Sequence, residues 1–187
     1  GTGSGTAGDI HVNDAVSWSK NTLTLNAFNN INVNAVMTAS GNAGLTMNFG
    51  GNTGSASSAP TTGTSINMGL NSNGFTGRVD FTGDGNTFTS NGKSYTIIRS
   101  LGAQGSTTGT DLQGINGNLS GRYVLGADID ASATAGWGDR GFVPLGVNSS
   151  TTSFQRDTSF TGEFNGLGHV IRNIKIDTDN TISMSGA

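Results

Sequence analysis

Short apolar triplets with a polar centre punctuate the first third of the chain: Ile10-His11-Val12, Leu23-Thr24-Leu25, Ile31-Asn32-Val33, Leu45-Thr46-Met47 and Ile66-Asn67-Met68. Alternation with a period of two places the apolar pair on one face and the central residue on the other, which predicts short half-buried strands rather than helices. Ile10 to Ile31 is 21 residues, Leu23 to Leu45 is 22, and Leu45 to Ile66 is 21. A period near this length is that of a solenoid coil, in which each turn of chain sets its inward side chains above those of the turn before. Strands of successive coils then pair in parallel about 4.8 Å apart, so like residues stack on like. The Asn-rich stretch holding Asn21, Asn26, Asn29, Asn30, Asn32 and Asn34 fits coil corners and amide ladders, a structural role favoured over ligand binding.

Residues 50–63 are small-sided and gather around Pro60, which predicts a loose connection. Strands are expected to resume at Arg78 to Phe81, Tyr95 to Arg99 and Tyr123 to Leu125. Asn91-Gly92 lies between Phe88 and Tyr95 and predicts a local antiparallel hairpin. From Leu112 onward the side chains grow larger, and Phe160 to His169 forms a turn feeding a predicted strand, Val170 to Ile176, with a bulge or bend near Ile171 and Arg172. Gly166 and Gly168 flank Leu167, so at least one is expected at positive φ, with Leu167 turned inward. A last strand is expected at Thr181 to Met184. This organisation is a single segment, 1–187: regular coils in 1–70, coils with a hairpin insertion in 71–111, and a block with a long loop in 112–176.

Composition sharpens the all-β reading. Glycine is abundant at 31 residues while Glu163 is the sole glutamate and lysines number three, a poor supply of helix formers. A net charge of −3 and the recurrent triplets favour packing over disorder. Without cysteine there is no disulfide framework or thiol nucleophile. The basic residues are few and scattered, which sets nucleic acid aside as a partner, and no apolar run reaches membrane-spanning length.

Three stretches carry a family resemblance: Leu23 to Gly44 (LTLNAFNNINVNAVMTASGNAG), Tyr95 to Ala131 (YTIIRSLGAQ…TDLQGINGNLSGRYVLGADIDA) and Phe160 to Ile176. They resemble the filamentous-haemagglutinin and high-molecular-weight-adhesin class of bacterial two-partner-secretion exoproteins, the last stretch resembling its GLUG repeat. That resemblance implies a right-handed parallel β-helix with extra-helical loops, part of a secreted cell-surface adhesin. It implies a host or cell-surface glycan or protein as partner, and an outer-membrane secretion partner reached through a region not present here. With no capping coils recognisable, the chain is expected to be an internal fragment.

Candidate chemistry is sparse, and neither cofactor nor metal is expected. Asp128 and Asp130 alternate onto one strand face, as paired carboxylates of a glycan-degrading β-helix would, although a solvated or turn-capping pair around Ile129 is the favoured reading. Under an enzyme reading Glu163 would be the natural proton donor. The stretch from Asp177 lacks the glycine and glutamate of a calcium loop. His169 is expected to pack at a coil corner. Trp137, Asp139, Arg140 and Arg156 are the candidate ligand contacts, in a region from Trp137 to Phe160 expected to loop out of the helix, where an aromatic beside arginines can hold sugar or protein; Trp137 plugging the core is the alternative. Asn118 and Asn148 begin Asn-x-Ser sequons and are candidate glycosylation sites. Adhesin, β-helix enzyme and ligand-free stalk of a toxin or haem-acquisition protein are the functions left to weigh.

Overall fold

A computed structural model of the protein describes residues 8–52, 54–138, 140–146 and 159–177. These are all-β, with helix confined to two 3₁₀ turns, Gln113–Gly117 and Ser132–Gly136. They fall into two compact units. The first comprises Gly1–Arg99, Arg122–Asp128 and Glu163–Val170, and the second Ser100–Gly121, Ile129–Gly162 and Ile171–Ala187.

In the first unit the triplets are strands. A first set, β1 (Ile10–Val12), β2 (Val16–Trp18) and β3 (Thr22–Asn26), is followed by a second, β4 (Ile31–Val33), β5 (Val36–Ala39) and β6 (Gly44–Asn48). Each strand of the second set pairs in parallel with its counterpart, Ile10 opposite Ile31, Val16 opposite Met37, Leu23 opposite Leu45. A third set follows: β7 (Ile66–Met68), the antiparallel hairpin β8 (Leu70–Asn71) and β9 (Gly74–Phe75), β10 (Arg78–Phe81) and β11 (Thr87–Ser90). Within it β7, β10 and β11 continue the same three sheets, pairing Ile66 with Ile31, Val79 with Met37 and Phe88 with Leu45.

The inward residues of these rows are the core. Ile31, Val33, Met37, Leu45, Met47, Val79 and Phe81 are all at most 1% exposed, each such burial contributing about 1.5–3 kcal/mol. The polar faces stack as well. Asn34 Nδ2 donates to Asn13 Oδ1 at 2.8 Å, Asn48 Nδ2 to Asn26 Oδ1 at 2.8 Å, and Asn67 Nδ2 to Asn32 Oδ1 at 2.9 Å. These are the expected amide ladders, running between sets rather than along a strand.

One expected spacing is wrong. Leu45 stacks on Phe88, not toward Ile66, which pairs with Ile31; the loop after β6 lengthens the third set without disturbing its register. Nor is that loop loose. Asn52, 5% exposed, accepts the Gly54 and Ser55 amides at its Oδ1 (2.7 and 2.9 Å) and donates from Nδ2 to the Ser55 and Ser58 carbonyls (3.0 and 2.7 Å). Thr61 closes it, its amide and hydroxyl both donating to Gly50 O.

The Asn91-Gly92 hairpin is present. Both residues have positive φ (47° and 74°), the conformation a two-residue turn between twisted strands demands. It joins β11 to β12 (Lys93–Ile98) with Phe88 opposite Tyr95. To β12 the sheet adds β13 (Arg122–Leu125), in parallel. Next in the chain, β14 (Ile129–Asp130) belongs to the second unit, while β15 (Glu163–Asn165) completes the first by pairing with β13, Arg122 opposite Glu163. The turn that follows has Leu167 at φ +45° and 1% exposed and Gly168 at φ +85°, as the glycine pattern predicts. Its Leu167 carbonyl accepts the Val79 amide at 3.0 Å, tying the turn to β10.

In the second unit β14 pairs in parallel with β16 (Ile171–Arg172). The longer strand expected through Ile176 breaks at Asn173, which takes φ +59°; Ile176 instead makes an antiparallel bridge to Gly141. Buried Gln113 replaces strand pairing for Val143, donating to its carbonyl (3.1 Å) and accepting its amide (2.9 Å). The strand expected at Thr181 to Met184 lies outside the described residues.

Candidate functional site

The hairpin turn, the Pro60 loop and strands β11, β12 and β15 of the first unit line one cleft. Phe49 follows β6, and its amide donates to Asn91 Oδ1 at 2.9 Å, which fixes the start of the loop against the hairpin. Across the turn, a Cβ on Gly92 would lie 2.4 Å from both Gly54 O and Ala56 N, so glycine alone lets loop and hairpin close up. Phe49, residues 56–60, Ser90, Asn91, Lys93, Tyr95 and Glu163 line a cavity of about 350 Å³.

Its centre is Glu163. Oε1 accepts from Lys93 Nζ at 2.9 Å and Arg122 Nε at 3.3 Å, and Oε2 accepts the Tyr95 hydroxyl at 2.5 Å. Tyr95 first, then Lys93 and Arg122, hold the carboxyl down to about 2, against the opposing effect of partial burial. Tyr95 is pushed up by burial and by its bond to the carboxylate. A carboxylate so held stays ionised at neutral pH and is unsuited to donating a proton, since a general acid needs a pKa near its working pH. The sequence marks this residue only as the one glutamate; its partners come from strands 41 to 70 residues away.

The paired-carboxylate candidates do separate structural work. Asp128 Oδ1 accepts the Val170 amide and faces His169 Nδ1, each at 3.1 Å. His169, buried as expected, donates from Nε2 to Val79 O at 2.8 Å. The imidazole thus holds the turn after β15 against β10. Beside it is a second groove of about 400 Å³ in which Arg78 forks onto Asp80 (2.8 and 3.2 Å), while Arg99 donates to Gly83 O and Asp84. Asp130, in the other unit, accepts the Ser132 amide at 2.9 Å and Asn173 Nδ2 at 3.1 Å, which lowers its pKa.

Of the expected ligand contacts, Trp137 and Arg140 are described and both are half-buried. The Trp137 carbonyl accepts from Gln104 Nε2 at 2.9 Å, and the Arg140 carbonyl accepts the Asp177 amide at 2.9 Å. Asp139 and Arg156 lie outside the described residues, as does Asn148. Asn118 is exposed just after the first 3₁₀ turn, its side chain accepting from Ser120 Oγ at 3.1 Å. Among the described residues no helix is long and apolar enough to cross a membrane.

No family model matches the chain, and no solved structure matches it. Over 103 residues, 51% of the chain, it is 39% identical to halomucin of Haloquadratum walsbyi, of which it spans about 1%.

Proposed function

We propose that the chain is a coil-stacking segment of a large exported surface protein, a right-handed parallel β-helix that supplies length and a display surface and attaches to a cell-surface glycan or protein. The observation that carries this reading is the recurrence of three strands per set, each opposite its counterpart in the set before, with asparagines bonded between sets. Parallel crossovers are right-handed in about 98% of cases. The partial likeness to halomucin supports an extracellular setting, and the resemblance to two-partner-secretion adhesins supplies the outer-membrane secretion partner. A glycan-degrading activity has less support, because Asp128 and Asp130 already hold main-chain amides and Glu163 is kept ionised.

Antibody raised against the purified chain should label intact producing cells or their culture medium, and beads coated with the chain should adhere to cell surfaces. Labelling that appears only after the cells are permeabilised would refute the export on which the reading stands.

A further inference from the structure

We infer that Asn73, at the tip of the β8–β9 hairpin, is a site of covalent self-modification, where the side-chain amide closes on the main chain of Gly74 and reopens as aspartate or isoaspartate. The Gly74 nitrogen gives up its proton and bonds to Asn73 Cγ. The Cγ–Nδ2 bond breaks, ammonia leaves carrying that proton, and a succinimide ring remains. Water then adds to one ring carbonyl or the other and the C–N bond there opens. Solvent water is the sole co-reactant, and nothing is oxidised or reduced. Such a step needs a side chain free to swing onto the following nitrogen, and a following residue with no Cβ to obstruct it.

The sequence has four Asn-Gly steps, at Asn73, Asn91, Asn116 and Asn165, and the fold locks three of them. Asn91 is 7% exposed, and its Oδ1 accepts the Phe49 amide at 2.9 Å. Asn116 is held at both ends, Oδ1 accepting the Gly146 amide at 2.9 Å and Nδ2 donating to Val143 O at 3.3 Å. Asn165 Oδ1 accepts the Leu167 amide at 2.9 Å, inside the turn tied to β10. Asn73 differs from all three. It is exposed, and its side chain makes no hydrogen bond among the described residues; its main-chain amide donates to Asn71 Oδ1 at 2.8 Å. Gly74 has φ +118°, with nothing within 4 Å of where a Cβ would stand. The hairpin has two residues in each strand, and so short a ribbon opens readily, which frees the main chain to reach the reactive geometry. Leu70 and Phe75, 67% and 49% exposed, pair directly behind the tip. Conversion therefore sets a new negative charge beside two exposed apolar side chains.

Incubation of the purified full chain at mildly alkaline pH, folded and in urea, tests the assignment, with proteolysis and fragment-ion mass spectrometry locating each exchange of NH for O. In the folded chain Asn73 should convert about tenfold or more faster than the other three, because each of those must first break a hydrogen bond worth about that factor. In urea, where no fold restrains them, that advantage should vanish. Gly74→Ala should slow the conversion, and Asn73→Gln, whose longer side chain closes a ring less readily, should remove it from this position. A folded chain that stays unmodified, or that converts Asn91, Asn116 or Asn165 as fast as Asn73, would overturn the inference. So would an unslowed Gly74→Ala, or a preference for Asn73 that survives in urea, since the fold would then not be its cause.

Discussion

Replacing Gly168 by alanine separates two costs that a glycine in a turn usually confounds. Gly168 has φ +85°, and a Cβ there would stand 2.2 Å from Gly77 O and 2.7 Å from Arg78 Cβ. The left-handed conformation alone costs a non-glycine residue about 1–2 kcal/mol. The crowding adds about 1–3 kcal/mol, in the range of overpacked cores, because the obstruction is main chain and the turn is tied to β10 by Leu167 and His169 and cannot slide away. The sum is about 2–5 kcal/mol, or roughly 5–15 °C in melting temperature for a chain of this size. Gly63 is the control, since its φ of +84° is nearly identical and nothing lies within 4 Å of its Cβ position; Gly63→Ala measures the conformational cost alone. Gly166→Ala, whose Cβ would make only an ordinary 3.6 Å contact, should be close to wild type. Thermal unfolding followed by circular dichroism ranks the three variants. If Gly168→Ala melts with Gly63→Ala, the close approach to Gly77 contributes nothing and the docking of this turn is misjudged.

Two further outcomes follow from burial and charge. Leu45→Asp buries an unpaired carboxylate at a position 1% exposed and should abolish the folded signal, costing several kcal/mol, while Leu25→Asp, half-buried on β3, should lose visibly less; equal loss by circular dichroism would contradict the burial order. For Glu163, the folded pKa is lowered from 4.5 to about 2, so its stabilisation is present above about 4.5 and disappears as pH falls toward 2. That shift would amount to about 3 kcal/mol in full shelter, but with the side chain 42% exposed screening leaves about 1 kcal/mol. Urea unfolding at pH 7 and pH 3 should show that loss in the wild type and a flatter profile in Glu163→Gln; parallel profiles would dismiss the cluster as a stabilising one.

The rows of the first unit were legible because a strand pattern of period two needs only neighbours, and two sets of nearly equal length stack by counting. Ile10 over Ile31 and Leu23 over Leu45 follow directly. Counting fails where length changes. The loop after β6 makes the Leu45-to-Ile66 interval a coincidence of number, since the two strands sit in different sheets. Asn91-Gly92 was readable because its turn depends on local backbone preference alone, whereas Asn173 ended a strand that alternation had extended to Ile176. The Glu163 cluster was out of reach for a different reason. Its members meet only once β13 lies between β12 and β15, and the register of strands separated by whole inserted blocks leaves no periodic trace.

The amide and main-chain bonds between successive sets also determine how this part of the protein answers to force. They run along the direction in which the sets stack, so tension applied along that direction opens one set at a time instead of shearing all of them together. The first set, 21 residues from Ile10 to Ile31, would yield about 65 Å of slack, from roughly 3.4 Å per extended residue less the roughly 5 Å it spanned when stacked, and the second, lengthened by the loop after β6 to 35 residues from Ile31 to Ile66, would yield more. Under load these paired sets would therefore pay out in unequal steps, a short one and then a longer one.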